Sequence, residues 1–342
     1  MTRYGEPETS ERSRTVTPAP SNAVTPELSL RDIREAHDRI RPFVHRTPVL
    51  TSASLDALFQ ARVHFKCENF QRGGAFKARG AHNAVFSLTD AQASRGVVTH
   101  SSGNHGAALA LAARNRGIPA FIVMPSTAAE AKKSAVARYG GHVTLCEPTQ
   151  ESRERTAARV AIETGARFVH PYDDLKVIAG QGTSALELLE DVPDLDVILC
   201  PVGGGGQLSG VAVAAKSVRP GIEVVGAEPA AADDAARSFH AGRLIAAPDP
   251  RTIADGLRSS SLGELGFALI RAHVSDIVTA SEASIAQAMR LVWEVLKIVI
   301  EPSSAVPVAV LLERALPAAG RRIGVILSGG NVDLDHLPWS GA

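Results

Sequence analysis

Cysteine is scarce in this sequence. Cys67, Cys146 and Cys200 stand far apart in 342 residues, and no CxxC pair occurs. An odd, dispersed set excludes a disulfide framework and points to reduced thiols in a cytoplasmic protein. Cys146 in "VTLCEP" and Cys200 in "VILCPV" lie in apolar runs, where buried, inert thiols are expected. Neither sign of charge is in excess: 36 Lys and Arg balance 36 Asp and Glu. No global field therefore draws the chain to nucleic acid or to an anionic membrane. No segment approaches the roughly 20 apolar residues that span a bilayer, and no signal-peptide core opens the chain. No solenoid-type repeat is present. Lysine is rare too, with seven against 29 arginines, so each lysine can be weighed singly.

The sequence is otherwise that of a two-domain globular protein, 45% hydrophobic and 21% charged. Residues 1–27, rich in Pro, Ser and Thr, read as a disordered tail. Order is expected from Ser29, where "SLRD" forms a capping box ahead of Leu30, Ile33 and Ile40 at helical spacing. Short β-rich runs then alternate with Ala-rich helical stretches. The runs are "VHFKCE", "GVVTH", "AFIVMP", "HVTLCEP", "RFVHP", "DVILCPV", "IEVVGAEP" and "RIGVILSGG". Such alternation predicts an α/β fold with two parallel sheets, each covered on both faces.

Between "DVILCPV" and the next helix stand four glycines, Gly203, Gly204, Gly205 and Gly206. A glycine turn at the carboxyl end of a strand, opening a helix, lets backbone N–H groups converge on an anion. The phosphate is not that of a Walker loop, because no Gly-Lys pair follows. A dinucleotide fingerprint also fails, since Leu208 or Ser209 stands where its last Gly or Ala belongs, although Glu228 mimics the ribose-binding acid. That keeps a nicotinamide reading open, and the other phosphate-bearing cofactor to weigh is pyridoxal phosphate, which needs a lysine for its Schiff base. Lys77 in "QRGGAFKARGAHNAV" follows a glycine pair and opens a helix, where the dipole opposes a cation and lowers an amine pKa. Lys132 and Lys133 read as a solvated helix face, and Lys216 as a helix-closing cation. Two more loops dense in hydrogen-bonding groups follow strands: Ser101, Ser102, Gly103, Asn104 and His105, then Ser328, Gly329, Gly330 and Asn331.

These stretches, with "CEPTQESRE", "AGQGTSALEL", "AEPAAADDA", "TIADGLRSS" and "LVWEVLKIVIEPSSAV", run in order over residues 29–337. The sequence resembles the fold-type II family of pyridoxal-phosphate enzymes, in the branch of serine/threonine dehydratases and serine racemase. The resemblance implies a tryptophan-synthase-β-like fold with the cofactor in the cleft between two open parallel-sheet domains. The expected large domain spans 28–95 and 174–342, and the small one 96–173. Lys77 would carry the Schiff base and Phe76 would pack on the ring. Asn104 would bond the ring hydroxyl and Ser328 the pyridine nitrogen, with Gly203 to Gly206 on the phosphate. Ser101, Ser102, Asn104, His105 and Arg153 would face the substrate, and Arg153 reads equally as a solvated helix charge. Glu228, the Ala232 carbonyl and Asp234 would hold Mg2+ or Ca2+, hard cations that take oxygen ligands.

The implied activity is that of an ammonia-lyase. L-serine or L-threonine would lose the β-hydroxyl and yield a 2-oxo acid and ammonia. Serine racemase and threo-3-hydroxyaspartate ammonia-lyase are the alternatives, and preference among these substrates stays open. A neutral Ser328 makes the ring a weaker electron sink, which suits elimination. Three positions bear on the choice. Ala75 stands where many relatives have Ser. Tyr172 is dehydratase-like. Ser102 matches the second-face base of racemases. A homodimer is the family expectation, and no regulatory domain is expected after "LSGGNVDL".

Overall fold

The structure is a computed structural model that describes residues 27–101, 103–128, 130–247 and 250–339. The tail read over residues 1–27, apart from Glu27, and Ser102 lie outside the described residues. Ten strands occur among them: β1 (Val49–Leu50), β2 (Arg62–Cys67), β3 (Val97–His100), β4 (Ala120–Pro125), β5 (His142–Cys146), β6 (Arg167–Phe168), β7 (Val197–Pro201), β8 (Glu223–Pro229), β9 (Asp276–Ala280) and β10 (Arg322–Leu327). They form a six-stranded sheet ordered β1-β2-β10-β7-β8-β9 and a four-stranded sheet ordered β5-β4-β3-β6. All pairings are parallel except β1 with β2. The smaller sheet draws all its strands from residues 97–168.

Parallel strands buried on both faces should alternate between two cores, and they do. Val197 and Leu199 pack with Val63, Phe65 and Val325 on one face of the larger sheet. Ile198 and Cys200 pack with Val224 and Ile326 on the other. The smaller sheet has its own apolar cluster, in which Ile122 and Met124 meet Leu109 of helix Asn104–Arg116 and Ala81 and Val85 of helix Lys77–Phe86. The helix that opens with Lys77 thus packs on the smaller sheet. At the start of the described chain, Ser29 and Asp32 form the expected capping box.

Two readings are corrected here. Cys146 is half-buried, because β5 is the edge strand of its sheet and its neighbour Leu145 is exposed. Lys132 is not a free solvated cation: its ammonium lies 2.5 Å from the Asp255 carboxylate, 123 residues away.

A charged cluster is buried between β2 and two helices. The Arg79 guanidinium donates to both Glu68 oxygens, at 2.7 and 2.8 Å, and to both Glu187 oxygens, at 2.8 and 2.7 Å. Lys66 donates to Glu187 and to the Thr47 carbonyl, both at 2.7 Å. Two cations face two anions with their hydrogen bonds satisfied, the condition under which buried charge is tolerated. Lys66, Glu68 and Arg79 are fully buried. Arg79 lies two residues after Lys77, so the cluster pins the first turn of that helix to the larger sheet.

Candidate active site

Three loops that follow strand carboxyl ends meet the Lys77 segment in the cleft. Phe76 N–H donates to the Ser328 carbonyl at 2.9 Å, and Gly330 N–H to the Gly74 carbonyl at 2.9 Å. This short antiparallel contact, centred on Ala75 and Gly329, seats the Lys77 loop on the loop after β10. Gly74 has a φ of +74°, and a Cβ there would stand 2.4 Å from Asn331 Oδ1. That glycine is required both by its backbone and by this close approach.

Lys77 Nζ donates to the Pro171 carbonyl at 2.8 Å and lies 5.0 Å from the Phe76 ring centroid. Among the described residues, no carboxylate pairs with it. Burial lowers its pKa to about 8, opposed by the charge of Glu301. The helix start alone predicts a lowering by the dipole, but desolvation is the dominant cause.

The loop after β3 is tied across the cleft. Asn104 Nδ2 donates to both oxygens of Glu301, at 2.9 and 3.2 Å, and Asn331 Nδ2 donates to Asn104 Oδ1 at 2.9 Å. Glu301 is buried beside Gly329, where a Cβ would meet its Oε1 at 2.6 Å. Burial, then the charge of Asp255, raises its pKa to about 8. Glu301 was not singled out in the sequence; "IVIEPSSAV" carries no local sign that an acid 197 residues from Asn104 meets it. Ser328 is buried, with its hydroxyl 3.1 Å from that of Ser304.

The four glycines follow β7, and Gly206 opens helix Gly206–Val218. Gly205 has a φ of +91°. Among the described residues, the N–H groups of Gly203, Gly204, Gly205 and Gly206 have no acceptor. Side chains would not fit: a Cβ on Gly204 would lie 2.4 Å from the Tyr172 ring, and one on Gly206 2.6 Å from the Tyr172 carbonyl. Unpaired donors at a helix start, on residues of which Gly204, Gly205 and Gly206 are buried, suit a phosphate. A half-buried, desolvated amine with a single neutral partner suits a carbonyl carbon. The residues present therefore fit pyridoxal phosphate.

The remaining residues expected to face a substrate lie at the end of the smaller sheet. Ser101 Oγ accepts from Gly103 N–H at 3.3 Å. His105 is 2% exposed, and neither ring nitrogen has a partner. Burial and the Lys77 charge hold its pKa far below the usual histidine value, so the ring is neutral. Arg153, in helix Gln150–Thr164, has a buried Nε without a partner and, among the described residues, no acidic side chain paired with it. Its charge is felt at Cys146, at the end of β5, and at His100, at the end of β3. Ser102 lies outside the described residues.

A separate acidic pair follows β8. Glu228 is 1% exposed and accepts from Ala235 N–H at 2.9 Å and Ala236 N–H at 2.8 Å. Asp234 is equally buried, with Oδ2 unpartnered. Burial raises Glu228 to about 9 and Asp234 to about 7, and neighbouring carboxylates add to the rise in both. Two buried carboxylates without a cation, one with an unused oxygen, are a donor set that fits a divalent ion beside the Ala232 carbonyl. Glu228 is buried beneath its own chain, where a ribose cannot reach it, which removes the dinucleotide alternative.

The comparisons agree with this geometry. The family profile described as pyridoxal-phosphate dependent enzyme matches residues 40–329. The chain is 55% identical to a β-hydroxyaspartate dehydratase of Paracoccus denitrificans, over 90% of this chain and 98% of that one. It is 53% identical to a serine racemase of Arabidopsis thaliana, over 89% and 93%. The structure of maize serine racemase superimposes with a TM-score of 0.88 at 50% identity, covering 90% of this chain and 94% of that one. With its glycine turn, cleft and paired sheets, the chain belongs to the pyridoxal-phosphate dependent enzymes of fold type II.

Proposed function

We propose that the chain is a pyridoxal-phosphate-dependent ammonia-lyase that acts on 3-hydroxyaspartate. It would remove water and release oxaloacetate and ammonia. Serine and threonine, placed first on the sequence alone, become secondary substrates. The observation that carries this reading is Arg153, a guanidinium in the smaller-sheet wall with a buried donor and, among the described residues, no paired anion. Serine and threonine bring one carboxylate, which the Ser101–Asn104–His105 loop is equipped to bond. A second carboxylate would match Arg153. The 55% identity to a β-hydroxyaspartate dehydratase supports the same choice.

Lys77 would hold the cofactor, Phe76 and Asn104 would flank its ring, Ser328 would meet its nitrogen, and Gly203 to Gly206 would take its phosphate. Pyridoxal phosphate supplies the electron sink that acidifies the α-proton of a bound amino acid. Lys77 Nζ takes that proton: an amine titrating near 8 is a competent base close to neutral pH. The neutral Ser328 hydroxyl does not keep a ring nitrogen protonated as a carboxylate would. Hydroxide then leaves Cβ, and the released enamine hydrolyses in water. Glu228, Ala232 and Asp234 would bind Mg2+ or Ca2+ as a support for the segment after β8.

The test measures 2-oxo acid and ammonia from threo- and erythro-3-hydroxyaspartate, L-serine and L-threonine, supplied separately. One hydroxyaspartate isomer should have the highest kcat/KM. Arg153→Met should lower that value about 10- to 100-fold, the worth of a charge-assisted hydrogen bond, and leave serine turnover within about threefold of wild type. Preference for serine or threonine in the wild type, or equal losses on all substrates, would overturn the assignment. Serine racemase is the second reading, favoured by the 53% identity to the Arabidopsis enzyme. Faster formation of D-serine than of pyruvate from L-serine would select it.

A further inference from the structure

The strap "HPYDD" leads from the smaller sheet to helix Leu175–Asp191. His170 Nδ1 accepts from the N–H groups of Tyr172 and Asp173, at 3.3 and 2.8 Å, and holds the strap in a tight turn. The two aspartates then cap different helices. Asp174 caps its own, accepting from Lys176 N–H at 2.7 Å and Val177 N–H at 3.2 Å. Asp173 reaches across 91 residues to helix Glu264–His273. Its Oδ2 accepts from Glu264 N–H and its Oδ1 from Gly266 N–H, both at 3.1 Å. Gly263, the residue at the cap position of that helix, has no side chain to do this. A Cβ there would lie 2.2 Å from Asp173 Oδ1, so the glycine makes room for the foreign cap.

Gly263 N–H in turn donates to the Gly204 carbonyl at 3.1 Å. Across a trans peptide, C=O and N–H point in opposite directions. Fixing the Gly204 carbonyl toward Gly263 therefore aims Gly205 N–H the other way, and that N–H has no acceptor among the described residues. We propose that Asp173 is a positioning residue for the phosphate-binding turn: by capping helix Glu264–His273 it holds Gly263 on Gly204 and orients the Gly205 N–H toward the cofactor phosphate. The proposal rests on the reading that Gly203 to Gly206 hold that phosphate.

The test compares apoenzyme affinities for pyridoxal 5'-phosphate and pyridoxal. Both carry the same aldehyde, so their ratio isolates the phosphate, and pyridoxal's own ring-chain equilibrium cancels between proteins. Asp173→Ala should raise the Kd of the phosphate ester about tenfold, the scale of a lost helix cap, and leave that of pyridoxal within about twofold. Asp173→Asn, which keeps one acceptor oxygen, should lose less. Parallel weakening of both ligands would mean general damage, and tighter phosphate-ester binding by both variants would mean charge repulsion; either overturns the proposal. Equal binding of the two ligands by the wild type would instead overturn the glycine-turn reading itself. Apoenzyme melting reports folding; if Asp173→Ala does not fold, the Asp173→Asn ratio decides, and a wild-type ratio overturns the proposal.

Discussion

Lys77 differs from the other lysines by its surroundings. Its amine donates to one carbonyl, and desolvation brings its pKa to about 8. An ordinary lysine near 10.4 is almost wholly protonated at neutral pH, so the neutral fraction of Lys77 is on the order of a hundredfold larger. Cyanate, a small amine reagent, should carbamoylate Lys77 of the apoenzyme first at pH 7.5, read by peptide mass mapping. Lys66 should resist, being fully buried and bonded to Glu187 and Thr47. Equal labelling of Lys77 and the surface lysines would show that its amine is not depressed. The linkage has a matching sign: the unfolded chain holds more protons between pH 8 and 10.5, so this group adds stability as pH rises through that window. The sequence marked Lys77 by its glycine pair and helix start, yet it could not disclose the cause of the shift. Burial is set by elements far away in the chain. The same holds for Glu301, Arg79 and Glu187, charged letters whose partners lie up to 197 residues off.

At the level of elements, eight of the ten strands were readable as β-rich runs. The two missed ones are edges: β1 has two residues, and β9 interleaves Asp276 and Thr279 with only Ile277 and Ala280 buried. Neither has the apolar run that marks a strand covered on both faces. The junction from β8 to helix Asp234–Ala241 carries a prediction of its own. Glu228 and Asp234 titrate above their unfolded values, near 9 and 7. The folded chain then holds more protons than the unfolded one, so their contribution is full below about pH 4 and is lost as pH rises from there to about 7 for Asp234 and about 9 for Glu228. In chelator, the melting temperature should fall across that range. Mg2+ or Ca2+ should restore it, and at a hundredfold excess over Kd the gain is about 2.7 kcal/mol, several degrees for a chain of this size. Glu228→Gln with Asp234→Asn should flatten the pH dependence and abolish the ion's effect. If neither ion moves the melting temperature at pH 8, the pair does not bind metal.

The two sheets meet around one cleft, and an ion pair crosses its mouth. Lys132 lies on helix Glu130–Arg138 beside the smaller sheet, and Asp255 lies on the larger one, next to Gly256, whose N–H donates to Ser303 Oγ at 3.0 Å. Both partners are 39% exposed, so the pair contributes about 1 kcal/mol or less to stability. Its larger effect is electrostatic and reaches the buried carboxyl between the loops. After burial, the Asp255 charge is the next cause of the raised Glu301 pKa, and the Lys132 charge works against it. Closing or breaking the pair therefore changes the field at Glu301 without any contact to it. Asp255→Asn should move the Glu301 titration toward acid, and Lys132→Met should move it toward alkali. The double variant should fall between the two, because opposite terms are removed together. Carbon-13 NMR of glutamate-labelled apoenzyme follows the carboxyl directly, and a kcat/KM profile of the holoenzyme should move in the same directions if Glu301 must hold one protonation state in turnover. A Glu301 titration unmoved by either single variant would show that the charges at the mouth are screened from the site, and that the two sheets communicate only through the bonded loops.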